Sequence, residues 1–154
     1  VLEALRVVVD PEIPTVSLVD LGVVSDVEVK ADGQIRVELT PTFAGCPAIQ
    51  LMRMEAAVVL EQAGWPNAEV VINHNRAWSS DDITPQGIEG LRKHGLAPPP
   101  RVLQTDDLQT LMQAECPKCA SINTQMMSPF GPTLCRAIHH CNDCHETFEQ
   151  FKPL

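Results

Sequence analysis

The chain has 154 residues, 44% of them hydrophobic, with 20 acidic against 11 basic side chains and a formal charge of -9. That length suits one ordinary domain or two small ones with enough apolar material for a core, and the acidic surplus argues against nucleic acid as a partner. With no run of 18 apolar residues, no signal-peptide pattern, and six cysteines that read as a metal set plus two extras, the expectation is no membrane span and a reducing cytoplasm.

Val1 to Val9 reads as the end of a first helix, closed by Asp10-Pro11-Glu12-Ile13-Pro14 because two prolines this close cannot continue one. Ser17-Leu18-Val19-Asp20-Leu21-Gly22 follows as a turn or short helical piece, and Val23 to Lys30 as a strand. Ala31-Asp32-Gly33 has hairpin-turn chemistry. In the second strand, Gln34 to Thr40, Ile35, Val37 and Leu39 alternate with Arg36 and Glu38.

Thr40-Pro41-Thr42-Phe43-Ala44-Gly45-Cys46-Pro47 then leads into a helix running to about Gln62, in which Ile49, Met52, Ala56, Val59 or Leu60, and Ala63 share one face. Pro47 fits the first helical position, which puts Cys46 at the helix N-terminus. Unpaired backbone N–H groups and the helix dipole favour an anion there, and a cysteine in such a field tends toward the thiolate that binds soft metal ions. The alternative is a small buried hydrophobe. Asp10, Glu12 and Asp20 are the acidic residues of interest near Cys46, although Asp10 and Asp20 also suit cap or turn positions.

Gly64-Trp65-Pro66 breaks that helix, and Glu69 to Ile72 forms a third strand. Trp78 reads as a core or interface plug and His74 as a structural residue. Ser80 or Asp81 is the expected cap of a helix near residues 85–93, which Gly95 ends. Ala97-Pro98-Pro99-Pro100 is a stiff spacer, and Leu103 to Ala114 reads as a short helix.

The tail carries Cys116-Pro117-Lys118-Cys119, then 21 residues, then Cys141-Asn142-Asp143-Cys144. Two such pairs match a tetrahedral four-thiolate site, since each short turn presents two sulfurs to one ion while a hairpin forms between them. A tail of roughly 35–40 residues cannot bury enough surface to fold well alone, so metal binding would contribute folding free energy. Zinc suits four saturating ligands. Iron or an iron–sulfur cluster on the same thiolates is the competitor, and separate redox dithiols are a third reading. Cys135, His139, His140 and His145 lie close by in sequence, most of them expected at the surface and none assigned as a ligand.

The expected architecture is α+β, with a small N-terminal sandwich-like α/β domain (antiparallel hairpin, helix, further strand) over residues 1–97. A linker over 98–114 and a zinc-ribbon-like β-hairpin module over 115–154 complete it.

The segments Asp10 to Pro14, Ser17 to Gly22 and Pro41 to Pro47 resemble the signature of the iron–sulfur assembly family that includes SufT, over roughly Val1 to Pro100. The four-cysteine tail is similar to the PaaD (PaaJ) family of phenylacetate degradation. This similarity includes Ser128-Pro129-Phe130-Gly131-Pro132-Thr133-Leu134-Cys135 between its knuckles and Phe148 to Pro153 at its end. The resemblance implies an accessory, maturation role toward the multicomponent phenylacetyl-CoA epoxidase, whose oxygenase carries a di-iron centre and whose reductase carries an iron–sulfur cluster. Expected partners are those subunits or other iron–sulfur assembly proteins.

The resemblance also implies that Cys46 handles iron or a cluster transiently, with Asp20 as an assistant that the family pattern does not fix. A homodimer would bring two such thiols together. The alternatives are a direct oxygenase subunit, a thiol-dependent enzyme, and a scaffold with a structural zinc only. The sequence lacks the Glu-x-x-His pairs of a di-iron carboxylate bundle and any nicotinamide or flavin fingerprint, so an enzyme is not the expected reading.

Overall fold

The computed structural model describes residues 1–100 and 112–153. Most of the helix expected over Leu103 to Ala114 lies outside them. The chain divides into two compact units, Val1–Trp78 with Asp82–Gly87, and Ser79–Asp81 with Ile88–Leu154.

In the first unit the expected N-terminal helix shrinks to α1 (Leu2–Leu5), because Val9–Asp10 is a strand, β1, paired antiparallel with β2 (Ile13–Ser17). The Asp10 carboxylate accepts the N–H groups of Glu12 at 2.8 Å and Ile13 at 3.0 Å, which closes the turn between them. Pro14 tolerates a strand here because it is exposed on a two-stranded edge.

β3 (Val24–Val29) and β4 (Ile35–Leu39) form the expected hairpin, and β5 (Glu69–Ile72) joins β4 in parallel, giving the order β3-β4-β5. Gly33 turns the hairpin at a φ of 82°, a left-handed conformation that suits glycine. On β4, Ile35, Val37 and Leu39 are buried and Arg36 and Glu38 half-buried, the alternation that a one-sided core demands.

α2 (Ile49–Gln62) buries Ile49, Met52, Ala56 and Leu60 and packs against β5 and α1. Sinking each large side chain of that face is worth roughly 1.5–3 kcal/mol. Trp78 is a buried plug whose Nε1–H donates to the Leu21 carbonyl at 3.0 Å.

α3 (Pro85–His94) starts at the expected place with a different cap. Thr84 Oγ1 accepts the Gly87 N–H at 3.1 Å, whereas Ser80 opens a separate 3-10 turn over Ser80–Asp82. Gly95, at a φ of 87°, ends the helix as expected.

The second unit is built on a four-stranded sheet in the order β6-β9-β8-β7: β6 (Leu96–Ala97), β7 (Thr124–Ser128), β8 (Arg136–Cys141) and β9 (Thr147–Phe151). β8 runs antiparallel to both β7 and β9, and β6 lies parallel to β9, with Leu96 opposite Glu149. The sequence places the end of the first domain at residue 97; the compact division falls after Gly87, and β6, paired with β9, lies in the second unit. Among the described residues no helix is long and apolar enough to cross a membrane.

Candidate metal centre and thiol loop

The sulfurs of Cys116, Cys119, Cys141 and Cys144 all lie within 4.8 Å of one another. Cys116 to Cys144 is 3.7 Å and Cys119 to Cys141 is 3.6 Å. Four sulfurs at about 2.3 Å from a central ion stand about 3.8 Å apart along each tetrahedral edge. The quartet therefore fits a thiolate-bound soft cation, and it offers none of the oxygen donors that calcium or magnesium require.

Two equivalent backbone turns create this geometry. In the first, the Cys116 N–H donates to the Ser121 carbonyl and the Ala120 N–H to the Cys116 carbonyl, both at 2.9 Å. In the second, the Cys141 N–H donates to the Glu146 carbonyl and the His145 N–H to the Cys141 carbonyl, again at 2.9 Å. Both turns need a left-handed residue just after their second cysteine, supplied by Ala120 (φ 58°) and His145 (φ 61°). The N–H groups of Ser121 and Glu146 then point at the sulfurs of Cys119 and Cys144.

Crowding four thiols together splits their acidities. Cys119 receives the Ser121 N–H, which favours its thiolate, yet hydrogen bonding with Cys144, partial loss of solvation within the cluster, and the sulfurs of Cys141 and Cys116 push it up to about 12. The N–H of Cys144 draws Cys141 down to about 7, helped by the Asp143 N–H and opposed by burial. Positive charge at the centre would relieve this competition and release the remaining protons.

The site is seated in the tail's own core. Cys116 and Cys141 are buried with Ala97, Ala114 and Phe148, Cys144 packs against that cluster, and Cys119 is exposed. Side chains clip one knuckle to the other. Asp143 accepts Ser121 Oγ at 2.5 Å and Asn123 Nδ2 at 2.7 Å, bonds that hold its carboxyl below the usual range. Lys118 Nζ donates to Glu146 Oε2 at 2.5 Å. Sequence reasoning missed these clips, and only the polar residues inside and just after each knuckle hinted at them.

Of the nearby residues expected at the surface, His145 is exposed and His140 half-buried. His139 departs from the expectation: it is fully buried on β8 and stacks on Phe148 with ring centroids 5.7 Å apart. Cys135 is also buried, with its sulfur 3.1 Å from Thr133 Oγ1.

Cys46 is half-buried in the loop before α2, where its N–H donates to the Phe43 carbonyl at 3.1 Å. The helix begins later than the sequence suggests. Ala48 is the N-cap and its carbonyl takes the Met52 N–H at 3.0 Å, so Pro47 lies just outside the cap and Cys46 one residue further out. Among the described residues the tail quartet is the one group of three or more side chains able to hold a metal ion, and neither Cys46 nor Asp20 belongs to it.

Asp20 has a defined structural use in the first unit. Its Oδ1 accepts Arg6 Nη1 at 2.5 Å and Thr84 Oγ1 at 2.8 Å, and its Oδ2 accepts Ser17 Oγ at 2.6 Å. Burial alone would raise its pKa, but the Ser17, Arg6 and Thr84 bonds outweigh it and hold the carboxyl below its ordinary value. Its partners lie up to 64 positions away, so no local pattern announces them.

Comparison with known proteins places both parts of the chain. A family model described as an iron-sulfur cluster assembly protein matches residues 1–72, and one described as a PaaD zinc beta ribbon domain matches residues 101–152. The chain is 35% identical over 143 residues to an Escherichia coli K12 protein named as a component of a "Putative 1,2-phenylacetyl-CoA epoxidase", covering 93% of this chain and 85% of that one. It is 36% identical over 87 residues to the Fe-S protein maturation auxiliary factor YitW of Bacillus subtilis, covering 54% and 82%. A crystal structure of a DUF59 domain of unknown function from Bacillus anthracis matches with a TM-score of 0.53 and 28% identity, over 58% of this chain and 86% of that one.

Proposed function

We propose that this chain, which belongs to the PaaD family, is a non-enzymatic maturation factor that helps install or repair iron or an iron–sulfur cluster in a phenylacetyl-CoA epoxidase system. The observation that carries this reading is the joining, in one chain related to a protein named as an epoxidase component, of an iron–sulfur assembly region and a four-thiol ribbon.

In this reading Cys46 is the working thiol. It is half-buried in the loop two residues ahead of the α2 N-cap, and as a thiolate it can grip iron or a cluster as cargo. One protein thiolate leaves that cargo incompletely ligated, which keeps release to the client feasible. Asp20, with both oxygens already bonded, holds the loop and helix start around it rather than binding cargo.

The tail quartet holds zinc as a closed structural site, and the ribbon takes part in recognising the client. A reducing cytoplasm keeps all these thiols available. Metal analysis and absorption of anaerobically purified protein test the site: one zinc per chain without colour supports it, and visible charge-transfer bands would assign iron instead.

Expressing the epoxidase with Cys46→Ala tests the working thiol. The expected result is under-loaded, slow epoxidase; full iron and sulfide content at the normal rate would discard the proposal. The name of the Escherichia coli relative favours a second reading, a direct part of the oxygenase complex. That reading predicts that purified, fully loaded oxygenase and reductase still need this chain for every turnover.

A further inference from the structure

Helix α2 carries two apolar faces. Ile49, Met52, Ala56 and Leu60 are buried, while Leu51, Met54 and Val58 are 46, 60 and 50% exposed. Spacings of three and four put these exposed residues in one stripe, and at about 100° per residue that stripe lies about 180° from the buried face. Exposed Pro47, four residues before Leu51, extends the line toward Cys46. The outward side of a surface helix is ordinarily polar, so this apolar line implies something that covers it.

Charge narrows the choice of occupant. Exposed Glu55 and Glu61 flank the stripe on its two sides, and Arg53, the one basic residue of the helix, lies well around from it. The whole chain carries -9. A second copy would set acidic flanks against acidic flanks, and an anionic membrane surface would be repelled. A protein surface with an apolar centre and a lysine or arginine rim complements both features.

We propose that the Leu51–Met54–Val58 stripe is the docking site for the client protein, which meets it with an apolar patch rimmed by basic side chains. The proposal rests on the maturation reading and adds to it the place of contact. The stripe spans about 10 Å along the helix and runs up to the loop that holds Cys46. A client seated on it would bring its acceptor site to the end where the thiol lies.

The test titrates the purified oxygenase and reductase components of the epoxidase, separately, with the full chain and its variants. One component should bind the unaltered chain. Met54→Glu and, independently, Val58→Gln should weaken that binding at least tenfold while circular dichroism and metal content stay unchanged. Reversing both Glu55 and Glu61 to lysine should weaken it several-fold and flatten its salt dependence, and Val29→Glu, at an exposed apolar position on β3, should change nothing.

If the unaltered chain binds and both stripe variants bind within twofold of it, the docking proposal falls and the maturation reading stands. A homodimer that Met54→Glu dissolves would give the stripe to a second copy and overturn the proposal. If the unaltered chain binds neither component, the maturation reading falls and takes the docking site with it.

Discussion

Replacing Asp20 with asparagine tests whether one carboxylate ties the first unit together. Its two oxygens receive Arg6, Thr84 and Ser17 at 2.5 to 2.8 Å, joining the start of the chain, the turn after β2 and the cap of α3. An amide keeps one acceptor oxygen and turns the other group into a donor, so at least one hydroxyl loses its acceptor and Arg6 loses its counter-charge. Hydrogen bonds to a charged group are worth about 1.5–3 kcal/mol. The Arg6 pair, with that side chain 40% exposed, counts for little after solvent screening.

The expected loss is therefore about 2 kcal/mol, or about 10 °C in Tm for a unit of this size. Because the folded carboxyl is held below its ordinary value, its stabilising effect is fully present above the unfolded pKa and disappears as pH falls through the folded one. Urea melts of both proteins at pH 7, 5, 4 and 3 should show a gap that is constant down to pH 5 and narrows below about pH 4. A gap under about 0.5 kcal/mol at pH 7, against the range for charged hydrogen bonds, or one that persists undiminished at pH 3, would refute the reasoning.

Gly87→Ala should cost about 2–3 kcal/mol in a urea melt, because an added Cβ would collide with the Asp20 carbonyl oxygen and lie 2.7 Å from Ile83 Cγ2. Gly33→Ala meets open space and should lose only about 1 kcal/mol, from its left-handed backbone; equal losses at the two positions would contradict the packing argument. Ala120→Gly relaxes a left-handed residue in the first knuckle and should add about 1 kcal/mol to the melt of the metal-loaded protein. Cys141→Ser should abolish stoichiometric metal by elemental analysis and make the tail protease-sensitive, since structural zinc contributes on the order of 10 kcal/mol; a full metal complement would show that three sulfurs suffice.

Period-two alternation identified β4, Asp-Gly chemistry identified its hairpin, and the spacing of apolar residues identified the buried face of α2, because each signal is local. The metal quartet was equally legible, since its ligand spacing is written within short turns. What escaped depends on pairing across the chain. Val9–Asp10 became a strand only because β2 lies opposite it, and Leu96–Ala97 only because β9 does. Thr84 replaced Ser80 and Asp81 as the helix cap while also bonding Asp20. His139, polar and beside another histidine, gave no sign that strand alternation on β8 would turn it inward.

The two residues of β6 have a practical bearing on how the ribbon can be handled. They precede the three prolines that look like a natural cutting point, yet they cover one side of β9 and bring Ala97 into the packing around Cys116 and Cys141. A fragment begun after those prolines would carry all four thiols and still present an uncovered, adhesive border. Excising this ribbon intact means starting upstream of Leu96.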